Sequence, residues 1–366
     1  MIDKYKIYIF HPYSQIGGAD LSISRLINKL NEKKYDIDFI FLNKQNLSNY
    51  LSERNINLIK IKSKRTVFSV SKIRDHLIKD KKKNYKKYIF LSNQNFANIL
   101  SFAVLFNLNW IKHILIERNH IDEFKYNKSL KKLIIFKLIK YLYRHADAII
   151  GISKKLSTDL SKYINKKCIT IYNPAFDRNI INLSRQKISL KKKKNTILTV
   201  GRLEDQKDIE TLIKAFRLVV RKVNSNLIII GYGSQLKKLK TIIYKNNLQK
   251  NVKILTTIKN PFPYYKIAKT FVLSSKYEGF GNVLVEAAMF KINVISSNCN
   301  SGPKEILLNG KGGQLFKVGD HIELSNKIIK SLKLDQKKYV ETLYNSLERF
   351  NVENNIKAYK KLFDNI

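Results

Sequence analysis

One pattern recurs along this chain and restricts what it can fold into. A short apolar run is followed by a loop, often carrying glycine, and then by a segment with helical spacing. KIYIF (Lys6 to Phe10), the loop HPYSQIGGAD and the helical stretch LSISRLINKLNEK form the first such unit. Strand, glycine-bearing loop and helix in that order open a parallel α/β sheet. IDFIFL (Ile37 to Leu42), NLIKI (Asn57 to Ile61), KYIFLS (Lys87 to Ser92), HILIE (His113 to Glu117) and DAIIGIS (Asp147 to Ser153) read as further strands. CITIYNP (Cys168 to Pro174) closes that half, and a polar stretch without periodicity, NIINLSRQKISLKKKK, reads as a linker. The pattern restarts with TILTV (Thr196 to Val200), NLIIIG (Asn226 to Gly231), VKILT (Val252 to Thr256), TFVLSS (Thr270 to Ser275) and NVISS (Asn293 to Ser297).

The expected fold class is therefore α/β, with two Rossmann-like domains facing across a cleft. The expected division is residues 1–178 as the first Rossmann-like domain, 179–194 as linker and 195–348 as the second Rossmann-like domain. A C-terminal helix at 349–366 is expected to pack back on the first domain. A chain of 366 residues suits two domains, each large enough to bury a core.

Charge points to anionic partners. There are 70 Lys and Arg against 28 Asp and Glu, a formal net charge of +42. Nucleic acid, an acidic membrane surface and phosphorylated substrates all fit that excess. It is spread along the whole chain, and Lys, Asn and Ile are abundant everywhere, so charge alone selects no function. Cys168 and Cys299 are isolated, which gives neither metal spacing nor a disulfide framework. The N-terminal stretch lacks the pattern of a signal peptide. No run of about 18 uncharged apolar residues predicts a membrane span.

One helical segment, Ser129 to Ala146, is unusually apolar and basic together. Ile134, Leu138, Tyr141 and Leu142 share a face; Lys137, Lys140 and Arg144 share another; Phe136, Ile139 and Tyr143 form a second apolar stripe. Such a helix can lie on an anionic membrane, or it can be a buried helix with a solvated charged edge. Both readings stand at this stage.

The most informative stretch is KYEGFGNVLVEAAM, Lys276 to Met289. A strand runs into a Gly279-Phe280-Gly281-Asn282 turn, with Asn282 as the expected N-cap of the next helix. Backbone N–H groups of the first turn, near Val283 and Leu284, favour a phosphate. Glu286 lies one turn inside that helix and Glu278 lies before the turn. Beside a phosphate, both carboxylates suit neutral hydroxyl donors, with Glu286 matching a ribose. Arg202 and Lys207, in the loop GRLEDQKD, can neutralise a diphosphate. Gly17 and Gly18 allow close backbone approach from the first half. ERNH, Glu117 to His120, also follows a strand and brings together an acid, a cation, an amide and a histidine.

These pieces resemble the family-4, group-1 retaining glycosyltransferases of GT-B fold. Their signature is two glutamates separated by seven residues in an E-G-F-G-N-V-L-x-E context, which Glu278 to Glu286 matches. VGRLEDQKD, NCNSGPKEIL, GKGGQLF, GGAD and GISKKLSTDL also match, and the likeness spans nearly the whole chain. The resemblance implies that Arg202 and Lys207 bind the donor diphosphate and that Glu286 holds the ribose. Glu278, with the Gly279 to Asn282 backbone, would hold the transferred sugar, and the Gly17–Gly18 loop would cover the phosphates. It implies no metal and no cofactor, the nucleotide-sugar being a substrate. The chain departs from the family in having Thr256 for glycine, Lys291-Ile292-Asn293 for Gly-x-Pro and Asp20 for glutamate. Where many relatives carry Glu-His-Asn, with the histidine near the reacting sugar, this chain has Arg118, and His120 follows two residues later. Either could face the sugar.

The expectation is thus a retaining transferase (EC 2.4) moving a sugar from a nucleotide-sugar, a UDP-sugar, to a lipid-linked glycan of a bacterial surface polysaccharide. It would work in the cytoplasm as a peripheral protein on the anionic inner face of the plasma membrane. The alternative is a basic nucleic-acid-binding protein without transferase activity, for which the chain offers no recognisable motif.

Overall fold

The computed structural model describes residues 2–12, 17–30, 32–42, 51, 56–63, 65–121, 123, 129–190 and 195–366. The chain divides into two compact units, Met1–Pro174 with Val352–Ile366 and Ala175–Asn351. Residues 179–183, read from the sequence as linker, are a short helix with Ile180 buried, and they belong to the second unit. Residues 191–194 lie outside the described residues.

In the first unit the described strands are β1 (Ile2–Phe10), β2 (Tyr35–Leu42), β3 (Ile56–Ile61), β4 (Tyr85–Asn93), β5 (Ile111–Glu117), β6 (Ala148–Gly151) and β7 (Ile169–Thr170). They form one parallel sheet in the order β3-β2-β1-β4-β5-β6-β7. Helices α1 (Gly18–Leu30), α2 (Val70–Lys81), α3 (Asn95–Leu105), α4 (Leu130–Leu142) and α5 (Lys154–Ile164) connect or flank them. The strands read as apolar runs because helices cover both faces of the sheet. Tyr8, Phe10, Ile40 and Phe90 lie under Ile73, Leu77 and Val104 in one core layer. The C-terminal helix, Val352–Asn365, returns to this unit and packs against α1.

In the second unit β8 (Thr196–Val200), β9 (Asn226–Ile230), β10 (Val252–Leu255), β11 (Thr270–Leu273), β12 (Asn293–Ser297) and β13 (Gln314–Phe316) form a parallel sheet in the order β10-β9-β8-β11-β12-β13. The sequence pattern did not single out β13, whose three residues are too few for a period. Helices here are α6 (Asn179–Leu183), α7 (Ile209–Val220), α8 (Leu236–Lys245), α9 (Phe262–Ile267), α10 (Asn282–Met289), α11 (Gly302–Ile306), α12 (His321–Lys333) and α13 (Lys337–Asn345). In α7, Ile209, Leu212, Ile213, Phe216 and Val219 fall on one stripe and are all buried against β8, β9 and α12.

Both sheets reverse their build order once, between β1 and β4 and between β8 and β11. At such a reversal successive crossovers leave on opposite faces, which opens a crevice at the carboxyl ends of the two strands. The loops singled out from the sequence, Gly17–Gly18, Gly201–Asp208 and Lys276–Asn282, follow β1, β8 and β11 and so lie at these reversals.

Helix α4 resolves part of the ambiguity seen in its sequence. Ile139 faces the core, as does Tyr143 just beyond the helix, while Leu130 (75 % exposed), Leu133, Ile134 (51 %), Leu138 and Tyr141 (58 %) face outward with Lys137 and Lys140. The outward face is apolar as well as basic, so it is more than a charged edge. Among the described residues no helix is long and apolar enough to cross a membrane.

At the other end of β1 and β2 lies a buried ionic cluster. Lys6 Nζ sits 2.6 Å from Asp38, 2.8 Å from Asp36 and 3.6 Å from Asp80. His76 Nε2 is 2.6 Å from the second Asp38 oxygen. Asp38, His76 and Asp80 come close enough together to suggest a metal seat, but the cation already in that space is the Lys6 ammonium. Burial pushes the Asp38 carboxyl up, yet the bonds from His76, Lys6 and Asn57 outweigh it, so its pKa lies below the ordinary value. Its contribution is therefore complete above about pH 4 and is lost as pH falls below that. Replacing Lys6 by Met removes the cation and leaves the carboxylates facing one another. Lys6→Met is expected to cost about 3–5 kcal/mol, read as a lower urea midpoint at pH 7; an unchanged midpoint contradicts this account.

Candidate active site

In the second unit the site is built where β8 and β11 end. The loop after β8 and the loop after β11 are joined by side chain and backbone. Gln206 donates from Nε2 to the Tyr277 carbonyl at 2.9 Å and accepts from the Lys276 amide at 2.8 Å. Ser274 Oγ donates to the Lys207 carbonyl at 2.9 Å, and Lys276 bridges to Asp205. At the centre, Lys207 Nζ and Ser275 Oγ (2.6 Å) both donate to the same oxygen, Glu278 Oε1. Lys207 and Glu278, predicted to meet phosphate and sugar separately, thus meet each other. Glu278 is buried and held in one orientation, its negative charge balanced by the Lys207 ammonium. Arg202 is exposed, with Nη2 3.5 Å from Gln206 Oε1.

The turn after Glu278 differs in detail from the sequence reading. Gly281, with φ +99°, is the N-cap of α10, and Asn282 is its first residue. A left-handed backbone is needed there, and glycine supplies it without a Cβ clash. That tight turn also engages the Leu284 amide, which donates to the Gly281 carbonyl at 2.9 Å. Of the two amides expected to face a ligand, the Val283 amide is the one without a backbone acceptor among the described residues. Phe280 and Gly279 are braced from α11: Ser301 Oγ donates to the Gly279 carbonyl at 2.8 Å. A Cβ on Gly302 would fall 1.9 Å from the Phe280 carbonyl oxygen, so only glycine fits at that contact. Glu286 is buried and accepts from the Tyr265 hydroxyl at 3.1 Å. Tyr265, Ser275 and Gln206 were not singled out from the sequence; only their places in loops flanking the motif could have marked them.

In the first unit the ends of β1, β4 and β5 converge. The Gly17 amide donates to Asp20 Oδ2 at 2.7 Å, and Asp20 Oδ1 meets His11 Nε2 at 2.7 Å. His11 Nδ1 meets Asn93 Nδ2 at 2.7 Å, and Asn93 Oδ1 accepts from Arg118 Nε. Asn173, after β7, accepts from Arg118 Nη1 at 2.5 Å. The amide nitrogen of Asn93 must donate to Nδ1, which places the His11 ring proton on Nε2, facing Asp20. His120 is directed elsewhere: its Nε2 lies 2.9 Å from Asp159 on α5. The structure thus connects Arg118 to the Gly17 loop and binds His120 to a helix. His11, Asn93 and Asn173 were not anticipated, since nothing in their local sequence marks them.

Below Arg118, Glu117 is wholly buried. Tyr143 donates to its Oε2 at 2.7 Å, and the amides of Arg118 and Asn119 donate to its Oε1 at 2.9 Å each. Burial dominates and pushes its pKa up to about 7 despite those bonds.

Comparison with known proteins places the chain in a family. The sequence model of the glycosyl transferases group 1 family matches residues 181–349. An uncharacterised glycosyltransferase of Methanocaldococcus jannaschii is 32% identical over 304 residues, covering 78% of this chain and 73% of that protein. The chain belongs to the group 1 glycosyltransferases. It is a glycosyltransferase (EC 2.4), which displaces the reading of a nucleic-acid-binding protein without transferase activity. A second relative of this glycosyltransferase is the Campylobacter jejuni N-acetylgalactosamine-N,N'-diacetylbacillosaminyl-diphospho-undecaprenol 4-alpha-N-acetylgalactosaminyltransferase, 28% identical over 87% of both chains. Among solved structures, Anabaena Alr3699/HepE in complex with UDP and glucose aligns with a TM-score of 0.82 at 18% identity. It covers 99% of this chain and 100% of its own. The transferase therefore has the GT-B fold expected from its sequence.

An acid whose folded-state pKa is raised to about 7 binds a proton more readily in the native than in the unfolded chain. Between the free value near 4.3 and about 7, stability therefore falls as pH rises. Glu117→Gln removes that slope: the variant's melting temperature should change less than the native protein's between pH 5 and pH 8. Parallel pH curves for the two proteins count against the burial argument.

Proposed function

We propose that this glycosyltransferase moves a sugar from a nucleotide diphosphate donor, a UDP-sugar, to a hydroxyl of a lipid-linked glycan, with retention of anomeric configuration. The observation that carries the reading is the Lys207–Glu278–Ser275 cluster at the β8/β11 reversal, beside the N-terminus of α10. A cation, an oriented carboxylate and a helix N-terminus there match the three needs of such a donor: charge on the diphosphate, hydroxyl acceptors for the sugar and an anion seat. Arg202, Lys207 and the Val283 amide take the diphosphate. Glu286 takes the ribose hydroxyls, and Glu278 takes hydroxyls of the moving sugar. In the reaction the bond between the anomeric carbon and the diphosphate oxygen breaks, and the electron pair leaves with UDP. The acceptor oxygen bonds that carbon and passes its proton to the departing diphosphate oxygen. Glu278 Oε1 already accepts two hydrogen bonds, which suits positioning better than nucleophilic attack and fits retention without a covalent enzyme intermediate. Basic side chains and amides supply the neutralisation, so the mechanism needs no metal.

Two further supports concern the substrates. HepE was solved with UDP, and the Campylobacter jejuni relative is named for a diphospho-undecaprenol acceptor. A lipid-linked acceptor is reached at a membrane surface. Helix α4 turns Leu130, Ile134, Leu138 and Tyr141 outward beside Lys137, Lys140 and Arg144, and Ser129 to Ala146 contains no acid. An apolar stripe with a basic flank suits peripheral binding to the anionic cytoplasmic leaflet.

Glu286→Ala should abolish sugar transfer, by about a hundredfold or more, while the far-UV spectrum and melting temperature stay near those of the native protein; normal turnover overturns the assignment. The protein should sediment with vesicles containing anionic lipid and not with purely zwitterionic ones. Leu130→Ser with Ile134→Ser should release it. Equal binding to both vesicle types removes the electrostatic part of the proposal.

A further inference from the structure

Arg118 poses a physical problem that the transfer reaction as described does not use. Its side chain is among the most enclosed cations in the protein, at 5 % exposure. Among the described residues its guanidinium forms no ion pair. Its two bonded nitrogens are held by neutral amide oxygens, Nε by Asn93 and Nη1 by Asn173. Nη2 has no hydrogen-bond partner among the described residues. The nearby Glu117 carboxylate is turned to Tyr143 and to backbone amides. By hydrogen bonds Asp20 reaches Arg118 through His11 and Asn93, and its charge acts on Arg118 across the space between them.

Contrast Lys6, the other deeply buried cation described above. It is surrounded by Asp36, Asp38 and Asp80, as burial of a charge requires. Arg118 has no carboxylate in contact among the described residues, and burial outweighs the more distant charges of Asp20 and Glu117, although its frame is elaborate. Four polar side chains, from the residue after β1, from α1, from β4 and from the loop after β7, form its frame, which ends on the Gly17 amide at the carboxyl edge of the sheet. A guanidinium fork held through Nε and Nη1, with Nη2 unbonded among the described residues, is a preset receptor for a planar or tetrahedral oxyanion.

We propose that Arg118 is the receptor for an oxyanion of the substrate, completed when the ligand brings the negative charge that the protein withholds. This rests on the nucleotide-sugar reading above and adds to it a second anion seat, in the first unit. The same chemistry can come from two sources: a phosphate of the nucleotide, or a carboxylate on the transferred sugar, as in a hexuronic acid. His120 is engaged with Asp159 through Nε2, so the proposal is placed on Arg118.

The test measures binding of uridine, UDP, UDP-glucose, UDP-glucuronate and inorganic pyrophosphate to the full chain by calorimetry and thermal shift. It compares the native protein with Arg118→Gln and with Arg118→His, the residue of the related Glu-His-Asn stretch. Both variants are read at pH 8, where free imidazole is neutral. Uridine affinity should not change, and melting temperatures without ligand should stay within a few degrees. A loss of tenfold or more for UDP and pyrophosphate identifies a phosphate as the ligand. A loss confined to UDP-glucuronate identifies a sugar carboxylate. Arg118→Lys, which keeps the charge without the fork, should lie between native and Gln. If either folded variant binds every anionic probe within twofold of native, the proposal is wrong. If the native protein binds none of the uridine compounds, the donor reading fails; Arg118-dependent pyrophosphate binding would then still uphold the oxyanion seat, and its absence would overturn it.

Discussion

Parallel pairing of β8 with β11, and of β1 with β4, is the constraint on which the rest depends. In each sheet the pair joins strands that are not neighbours in sequence. Neighbouring strands to one side were laid down earlier, and those to the other side later. A parallel strand cannot be followed by a tight turn, so each connection must cross over a face. At the pair where the direction changes, the two loops diverge onto opposite faces and leave their strand ends uncovered. The Lys207–Glu278 contact spans that gap in the second unit, and the His11–Asn93 contact spans it in the first.

The fold was largely legible because strands buried on both faces must be written as apolar runs, and TILTV, NLIII and TFVL are found as strands. The short β13 escaped because three residues carry no period. Positions of the site loops were legible for the same reason: they follow those runs. Their internal bonding was not. Whether Gly281 or Asn282 caps α10 is decided by the backbone angle of one residue, which composition does not record. The pairing of Lys207 with Glu278 joins residues 71 positions apart, and that of His11 with Asn93 joins residues 82 apart. Such contacts are set by strand order. The α4 helix shows a third kind of limit. Its sequence carries more apolar residues than one stripe requires, and only packing decides which of them turn inward.

Buried charge separates structure from chemistry in this protein. Around Lys6 the charges close on themselves, and the cluster lies in the amino-terminal halves of β1 and β2, away from the loops at the reversal. Around Glu278 one cation and one anion meet where strands end. Around Arg118 the balance is left open. Closed clusters hold a fold together, and an open one has a use for something the chain does not contain.

The C-terminal helix has a consequence for how the protein is made. Lys360 pairs with Glu32, Lys34 with Asp364, and Lys87 donates to the Phe363 carbonyl, while Tyr359 and Phe363 are buried. The first unit is thus assembled from the two ends of the described chain, with the second unit's residues 175–351 inserted between them. During synthesis the inserted unit emerges whole before the first can be finished. A ribosome that stalls between residues 352 and 365 releases a chain whose second unit is complete and whose first unit still exposes the apolar side of α1 that the last helix covers.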